Sequence, residues 1–496
     1  LKLLPALAGA CLGLAILGMV RPVRSALLKP LRDSATPASP NASDEVRRNP
    51  WTDPIGGSAA PVLVNYREFA VLPALDRIPA RPMLLSEEPG TRNLFINDMR
   101  GPLYRISPDG QTVTEYLNID DPKWNLNLVA GNPEAGFQSF AFHPQFRQAG
   151  MPGFGKFYTW GDITDKTPTP DFRAPGGNDS HDNILLEWSA RKPAASAYDG
   201  GAPRVLFRIR HPFPNHNGGM LAFNPLAQPG QPDFGMLYVG NADGGSGTVV
   251  DPFDLSQNPE APIGKILRID PLGRNSTNGK YGIPADNPFV EGGSGGFRRE
   301  VWALGVRNPQ RFTWDVKTGK MYLSDVGQRS VEELNIVPKG GNLGWKIAEG
   351  SYKFGGRYGV DTTAAPRSDP TLTYPIAEYD HKDGLLGNNV STTGVVVYRG
   401  AGVPQIQNRI LFGDIPSGEV FHISADDSLS WGQDHIRRLL FNDKGEAKTL
   451  LQLMRQKNVE LGQARAARAD LRFGTGPGGQ VFILNKGDGV IRLLVK

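Results

Sequence analysis

Leu94-Phe-Ile-Asn-Asp98, Phe157-Tyr-Thr-Trp-Gly-Asp162, Leu237-Tyr-Val-Gly-Asn-Ala-Asp243, Met321-Tyr-Leu-Ser-Asp325, Ile410-Leu-Phe-Gly-Asp414 and Val481-Phe-Ile-Leu-Asn485 repeat one pattern. Each is a short apolar run that ends in Asp or Asn at a turn. A second strand-like run follows each: Leu103 to Ile106, Ile184 to Trp188, Lys265 to Asp270, Glu333 to Val337, Glu419 to Ile423 and Gly489 to Leu494. Consecutive copies lie roughly 60 to 90 residues apart, and a supersecondary unit recurring at one order of spacing signals a repeat architecture. A small sheet cannot cover both of its faces alone, so such units stack around an axis and leave a central channel with sites at its mouth. The pattern predicts an all-β fold, a six-bladed β-propeller.

Composition agrees. The chain has 60 Gly and 42 Pro among 496 residues, which suits many short strands joined by tight turns. The segment from Ala447 to Ala467 is the one place where apolar residues fall at helical spacing, and it predicts a short helix with Leu450, Leu451, Leu453 and Met454 on one face. Leu3 to Val20, preceded by Lys2, reads as a secretory signal, with cleavage after Ser25 and a retained membrane anchor as the alternative. The expected organisation is a signal over 1–25, a mobile Pro/Ser/Ala-rich linker over 26–61 and the propeller over 62–496, in the periplasm or outside the cell. No further membrane span is expected.

Cys11 is the only cysteine and lies in the signal, so disulfides, thiolate metal sites and Cys-x-x-Cys-His haem attachment are excluded from the mature chain. Losing Lys2, Arg21 and Arg24 with the signal brings the basic residues almost level with the 50 acidic ones, which gives no electrostatic case for nucleic acid. No P-loop, Rossmann fingerprint in strand context or Gly-x-Ser-x-Gly elbow occurs.

Of seven histidines, His216 in Asn215-His-Asn-Gly-Gly219 is the sharpest candidate base, because it precedes an apolar run where a channel mouth would lie. Its structural alternative is a turn-stabilising hydrogen bond. His143, flanked by aromatics, reads as a satisfied core histidine. His381 could serve a site or cap a loop, and His422 alternates with Phe421 and Ile423 on a strand. Arg307 in Leu304-Gly-Val-Arg-Asn-Pro-Gln310 presents a rigid fork of donors suited to an anion or a carbonyl, or to a structural ion pair. The turns at Asp243 and Asp325 could hold a hard cation through oxygen ligands, although neither matches an EF-hand.

Together these segments resemble the soluble quinoprotein glucose dehydrogenase and sorbosone dehydrogenase family, whose members include pyrroloquinoline quinone (PQQ)-dependent aldose dehydrogenases. The carriers are Ala135 to Pro144, Asn215 to Leu221, Gly264 to Asp270, Leu304 to Gln310, Asp325-Val-Gly-Gln328 with Glu332 to Asn335, Lys339 to Trp345 and Val397 to Gly400. The pairing of Tyr398-Arg-Gly400 with Phe412 to Gly418 looks more like the Hedgehog-interacting-protein-like branch. The resemblance implies PQQ and Ca²⁺ as cofactors, a sugar substrate oxidised at its anomeric carbon, and a separate electron acceptor. It makes His216 and Arg307 catalytic and puts Asn308, Asp243 and Arg399 on the cofactor. Glu134 and Asn215 would face the substrate, and Gly327 and Gln328 would offer carbonyls to calcium.

Two departures qualify what the resemblance implies. Glu134 and Asn215 stand where the glucose dehydrogenases carry Gln and Asp. The family's lysine near Pro416-Ser417 and its Arg-x-Arg pair near Ala467 to Ala469 are not reproduced, and Arg399, Arg465, Arg468 and Arg472 are the candidates to replace them. The rival expectations are a propeller that binds carbohydrate or protein without the quinone, and a calcium-dependent lactonase using Glu134, Asp243 and Glu332.

Overall fold

Each run of the repeat is a strand, and each follower pairs with it antiparallel. Leu94 faces Ile106, Phe157 faces Trp188, Leu237 faces Ile269, Tyr322 faces Ile336, Ile410 faces Ile423 and Phe482 faces Leu493. The computed structural model describes residues 50–496 apart from 168, 252, 291–295, 357–358, 388 and 427–430. The expected signal and most of the expected linker lie outside the described residues. What remains of that linker, 50–61, is exposed at most positions but anchored at two. Ile55 is buried and its N–H donates to Asp383 Oδ2 at 2.6 Å, and Trp51 meets Tyr352 edge-on at 5.8 Å.

Followed through antiparallel ladders, the strands fall into sets of four. The first set runs through Pro82–Glu87, Leu94–Asp98, Pro102–Ile106 and Val113–Asn118. The second comprises Phe137–Phe142, Lys156–Ile163, His181–Ser189 and Arg204–His211. The third is Met220–Phe223, Leu237–Asn241, Lys265–Ile269 and Val301–Leu304. The fourth is Pro309–Trp314, Met321–Asp325, Val331–Ile336 and Ala377–Asp380. Thr392–Tyr398, Arg409–Asp414, Val420–Ser424 and Arg437–Asp443 make the fifth. In the last set Arg472–Gly476, Gln480–Leu484 and Val490–Val495 take their fourth strand, Val62–Val71, from the start of the described chain. Parallel pairing of Val62–Asn65 with Leu439–Asn442, and of Leu85 with Gly474, joins the fifth, last and first sets into one 13-stranded sheet.

The second strands are buried along almost their whole length; Leu94–Asp98, Leu237–Asn241 and Met321–Asp325 have no exposed position. Such strands are covered on both faces, which is why they read as continuous apolar runs rather than alternating ones. The cover is the neighbouring set. Phe95 packs with Phe142, Leu185 lies in one cluster with Val239, Tyr238 with Trp314, Tyr322 with Phe412, Val396 with Phe473, and Phe482 with Ile96. Apolar contact thus passes from each set to the next and from the last back to the first. Each fully buried aromatic or branched side chain contributes about 1.5 to 3 kcal/mol relative to exposure. The first strands face one another across a cavity of about 400 Å³, to which Leu84, Phe140, Met220, Phe312, Val395 and Phe473 each bring one set.

The expected helix is α1, Leu450–Glu460, shorter than the segment that predicted it. Thr449 and Gln452 form a reciprocal capping box at its start, and Leu450, Leu453 and Met454 are buried.

The turn into the third set is a close fit. Gly219 has φ +90°, and a Cβ there would stand 2.3 Å from Cδ1 of the buried Trp160. Gly219→Ala is therefore expected to lower the urea midpoint by the equivalent of about 1 to 3 kcal/mol. An unchanged midpoint in equilibrium unfolding would show that the second and third sets are packed less tightly than described.

Candidate active site

The loops that enter the first strands and leave the second strands gather at one end of the molecule. His216, four residues before the third set's first strand, adopts φ +58° and is 4% exposed. Its Nδ1 lies 2.7 Å from Asp243 Oδ1, and Asp243 Oδ2 accepts from Trp345 Nε1 at 2.8 Å. Gly245 N–H also donates to Asp243 Oδ1 at 2.8 Å. Burial opposes ionisation of Asp243, but its pairing with His216, the Arg307 charge and the Gly245 N–H outweigh it and hold the carboxyl below its ordinary range.

Arg307 closes the other side of the ring, its Nη2 3.0 Å from His216 Nε2. A guanidinium only donates and an ionised carboxylate only accepts. The imidazole between them must therefore carry its proton on Nδ1 and offer a lone pair at Nε2. The Arg307 fork is fixed by three further contacts: Nε to Gln328 Oε1 at 2.9 Å, Nη1 to Val326 O at 2.8 Å, and the guanidinium carbon 5.7 Å from the Trp345 ring centre. Asp325, the last residue of its apolar run, accepts the backbone N–H groups of Arg307 and Asn308 at 2.8 and 2.7 Å. That pair of bonds anchors the whole Arg307–Asn308 turn.

The other sequence candidates divide. Glu134 lies at the exposed rim, its Oε2 accepting His216 N–H at 3.2 Å, and Asn215 is half-buried beside it. Asn308 is buried next to Arg307. Gly327 N–H donates to Glu332 Oε2 at 3.3 Å. The Gln328 side chain is committed on both ends, its oxygen to Arg307 and its nitrogen to Gly247 O at 2.9 Å. It does not fit a calcium ligand in this arrangement, and among the described residues no three His, Cys, Asp or Glu stand together as a metal site.

Arg399 is a correction. It follows the fifth set's first strand, at the strand ends opposite His216, and pairs with Asp315 at 2.7 Å and Asp426 at 2.6 Å. A residue at the exit of a first strand cannot share a mouth with residues at the entrances.

Sequence reading passed over Trp345, Arg311 and Lys486 and held Arg472 only as one of several substitutes. Arg472 opens the last set's first strand and is buried, pulled down to about 10 by that burial; its Nη1 reaches Leu471 O and its Nε has no partner. Lys486 sits in the turn after Asn485, held well below its ordinary range by burial and by Arg472, with Nζ 3.3 Å from Pro133 O. Neither forms an ion pair among the described residues; Asp470 is taken by Arg468 at 2.7 Å. His181 and His211, too, lacked a role in the sequence. They stack 4.7 Å apart under the His216 loop, His181 Nε2 meeting Asn217 Oδ1 at 2.7 Å and His211 Nε2 meeting His216 O at 3.2 Å. Burial lowers both, to about 3 and about 4, so they are neutral supports. His143 matches its reading as a satisfied core residue, its Nδ1 accepting Gln145 N–H at 3.1 Å.

The tautomer argument is testable without any ligand. ¹⁵N NMR of the imidazoles is expected to find His216 protonated at Nδ1 near neutral pH, and Asp243→Asn to abolish that preference. A native spectrum with the proton on Nε2 would contradict the arrangement.

A family model described as "Glucose / Sorbosone dehydrogenase" matches residues 80–444. The HIPL1 protein of Arabidopsis thaliana is 29% identical over 358 residues, 66% of this chain and 50% of that protein. Quinoprotein glucose dehydrogenase B of Acinetobacter calcoaceticus is 35% identical over 420 residues, 75% of this chain and 80% of that protein. The chain thus spans about half the length of the HIPL1 protein and most of the bacterial quinoprotein. The PQQ-bound aldose sugar dehydrogenase of Streptomyces coelicolor superposes with TM-score 0.53 at 20% identity, covering 88% of this chain and 99% of that one, a likeness of fold.

Proposed function

This chain belongs to the glucose/sorbosone dehydrogenase family, and we propose that it oxidises an aldose or related sugar aldehyde at the anomeric carbon with PQQ, passing the electrons to a separate acceptor. Its sets of four strands are, on this reading, the blades of a six-bladed β-propeller whose ring is closed by Val62–Val71. The observation that carries the proposal is a buried base, His216, oriented by Asp243 and Arg307 at a mouth that also holds two cations without carboxylate partners, Arg472 and Lys486. Uncompensated buried charge is costly. A polycarboxylate would relieve that cost, and PQQ is one.

Arg472 and Lys486 would hold the cofactor's carboxylates, in place of the family's lysine and Arg-x-Arg pair, and Asn308 and Arg307 would meet its ring. When bound, PQQ supplies the two-electron acceptor for a hydride leaving the anomeric carbon. His216 Nε2 takes the proton of the anomeric hydroxyl, and Asp243 stabilises the imidazolium that results. For that, Arg307 must first withdraw its Nη2 from the one lone pair at Nε2, and once the ring is an imidazolium the two cations no longer attract. Its fork is left facing any oxygen on which negative charge grows. Calcium at Gly327 and Gln328, through backbone carbonyls alone, and export to the periplasm or beyond belong to the same proposal; no step here is routed through the metal. No helix among the described residues is long and apolar enough to cross a membrane.

A binding module without the quinone is the second reading. Its support is that Arg307 already occupies the Nε2 lone pair that a base needs. Glu134, Asp243 and Glu332 are each held by different partners, so the lactonase reading gains nothing from their placement.

One titration separates the two. Protein mixed with PQQ, with and without Ca²⁺, is expected to bind the quinone and to bleach an artificial electron acceptor when aldoses are added. His216→Ala should keep quinone binding and lose about 10² to 10⁴ in turnover. Arg472→Met and Lys486→Met should each weaken quinone binding about tenfold or more. A chain that binds no quinone under either condition overturns the dehydrogenase reading and leaves the binding module.

A further inference from the structure

The cavity between the first strands belongs to the other half of the channel. On the fourth set its lining runs from Arg311 to Trp314, and on the first from Leu84 to Glu87, away from His216 and toward the opposite strand ends. Arg311 forms its inner end. The guanidinium crosses from the fourth set to the first, donating from Nη2 to Met83 O at 2.6 Å and from Nη1 to Gln310 O at 2.5 Å. Its Nε has no partner, no carboxylate pairs with it among the described residues, and burial with the nearby Arg472 charge pulls it down to about 9. The walls are mostly apolar, with Phe140, Phe142, Phe312, Trp314, Val395 and Phe473, and carry Ser86, Asn224, Thr313 and Thr475 among them. The only other ionisable lining residue is Glu87, exposed at the outer rim.

An apolar shaft of about 400 Å³ with one unpaired cation at its blind end has the chemistry of a site for an amphiphile, since ligand pockets pair apolar walls with a few fixed polar groups. We propose that this half of the channel binds a single-chain amphiphilic carboxylate, its head on Arg311 and its hydrocarbon along the shaft. The strand rise of about 3.3 Å per residue makes the stretch from Arg311 to Trp314 about 10 Å long, on the scale of one medium chain. The carboxylate supplies the counter-charge that the protein withholds, and Glu87 disfavours the reverse orientation by repelling the head from the rim. The site does not depend on the quinone reading, because Arg311 stands between it and His216.

Calorimetric titration of the full chain with decanoate and with decan-1-ol at neutral pH tests the proposal. Decanoate is expected to bind saturably with one site per chain, at least tenfold tighter than the alcohol. Arg311→Met, with its circular dichroism unchanged, should lose at least tenfold in decanoate affinity and little for the alcohol. Absence of saturable decanoate binding, equal affinity for acid and alcohol, or undiminished decanoate binding by a folded Arg311→Met chain would each overturn it. Should that variant not fold, the comparison of acid with alcohol on the native chain decides.

Discussion

Everything at the mouth rests on one pairing, that of Val62–Val71 with Val490–Val495. It joins the first described strand to the last, Phe482 meeting Phe69 at 5.0 Å within the last set, and Phe482 lies in one cluster with Ile96 of the first. Lys486 and Arg472 belong to that last set, while Glu134, which reaches His216, comes from the turn into the second. Only a chain drawn back on itself brings residues so far apart in sequence into one electrostatic neighbourhood. The closure costs chain entropy, and the continuous apolar contact from set to set offsets it.

Several of the arginines this fold buries are paired with carboxylates, while the buried Lys265 is met by three backbone carbonyls, those of Leu255, Ser256 and Ile263. Arg268 is held by Asp233 and Asp286, both at 2.8 Å, Arg492 by Asp488 at 2.6 Å, and Arg208 by Asp182 at 2.6 Å. Against that habit, Arg311, Arg472 and Lys486 are conspicuous: three cations near one axis with no paired carboxylate among the described residues. Arg311 and Arg472 each keep a buried Nε with no partner, and an unsatisfied buried polar group costs folding stability. The exception is better explained by ligands that arrive with their own negative charge, one kind from each end of the channel.

The repeat was legible because strands covered on both faces leave uninterrupted apolar runs, and Leu94–Asp98 and Met321–Asp325 match those runs to the residue. His216 and Arg307 could be singled out because Gly and Pro mark their turns. Arg399 could not be placed by motif alone: Tyr398-Arg-Gly400 says that a strand ends there but not at which end of the molecule, and only the register of Tyr398 with Arg409 reveals it. Trp345, Arg472 and Lys486 were obscure for a different reason. Their partners are 102 residues away for Trp345 and 353 for Lys486, and no local pattern encodes a contact made by ring closure. The anchoring of 50–61 at Trp51 and Ile55 was hidden likewise, since Pro, Ser and Ala suggest a linker while a single Ile55 can anchor one.

His216 sits between a carboxylate and a guanidinium, which gives the ring a direction as well as a position. Asp243 can only accept, so it claims Nδ1–H; Arg307 can only donate, so it guards the lone pair. A hydroxyl that replaces Arg307 at Nε2 donates in its place and keeps the ring's hydrogen bonding satisfied throughout. Once the proton crosses, the imidazolium gains attraction to Asp243 and repulsion from Arg307, and the two effects push the same way. The fork, already displaced by the hydroxyl, is thereby kept off the ring at the moment when an anionic oxygen would need it. A ring flanked by two carboxylates would hold its proton too tightly to return it, and one flanked by two cations would not take it. The asymmetry of the pair is what makes a buried histidine serviceable as a base.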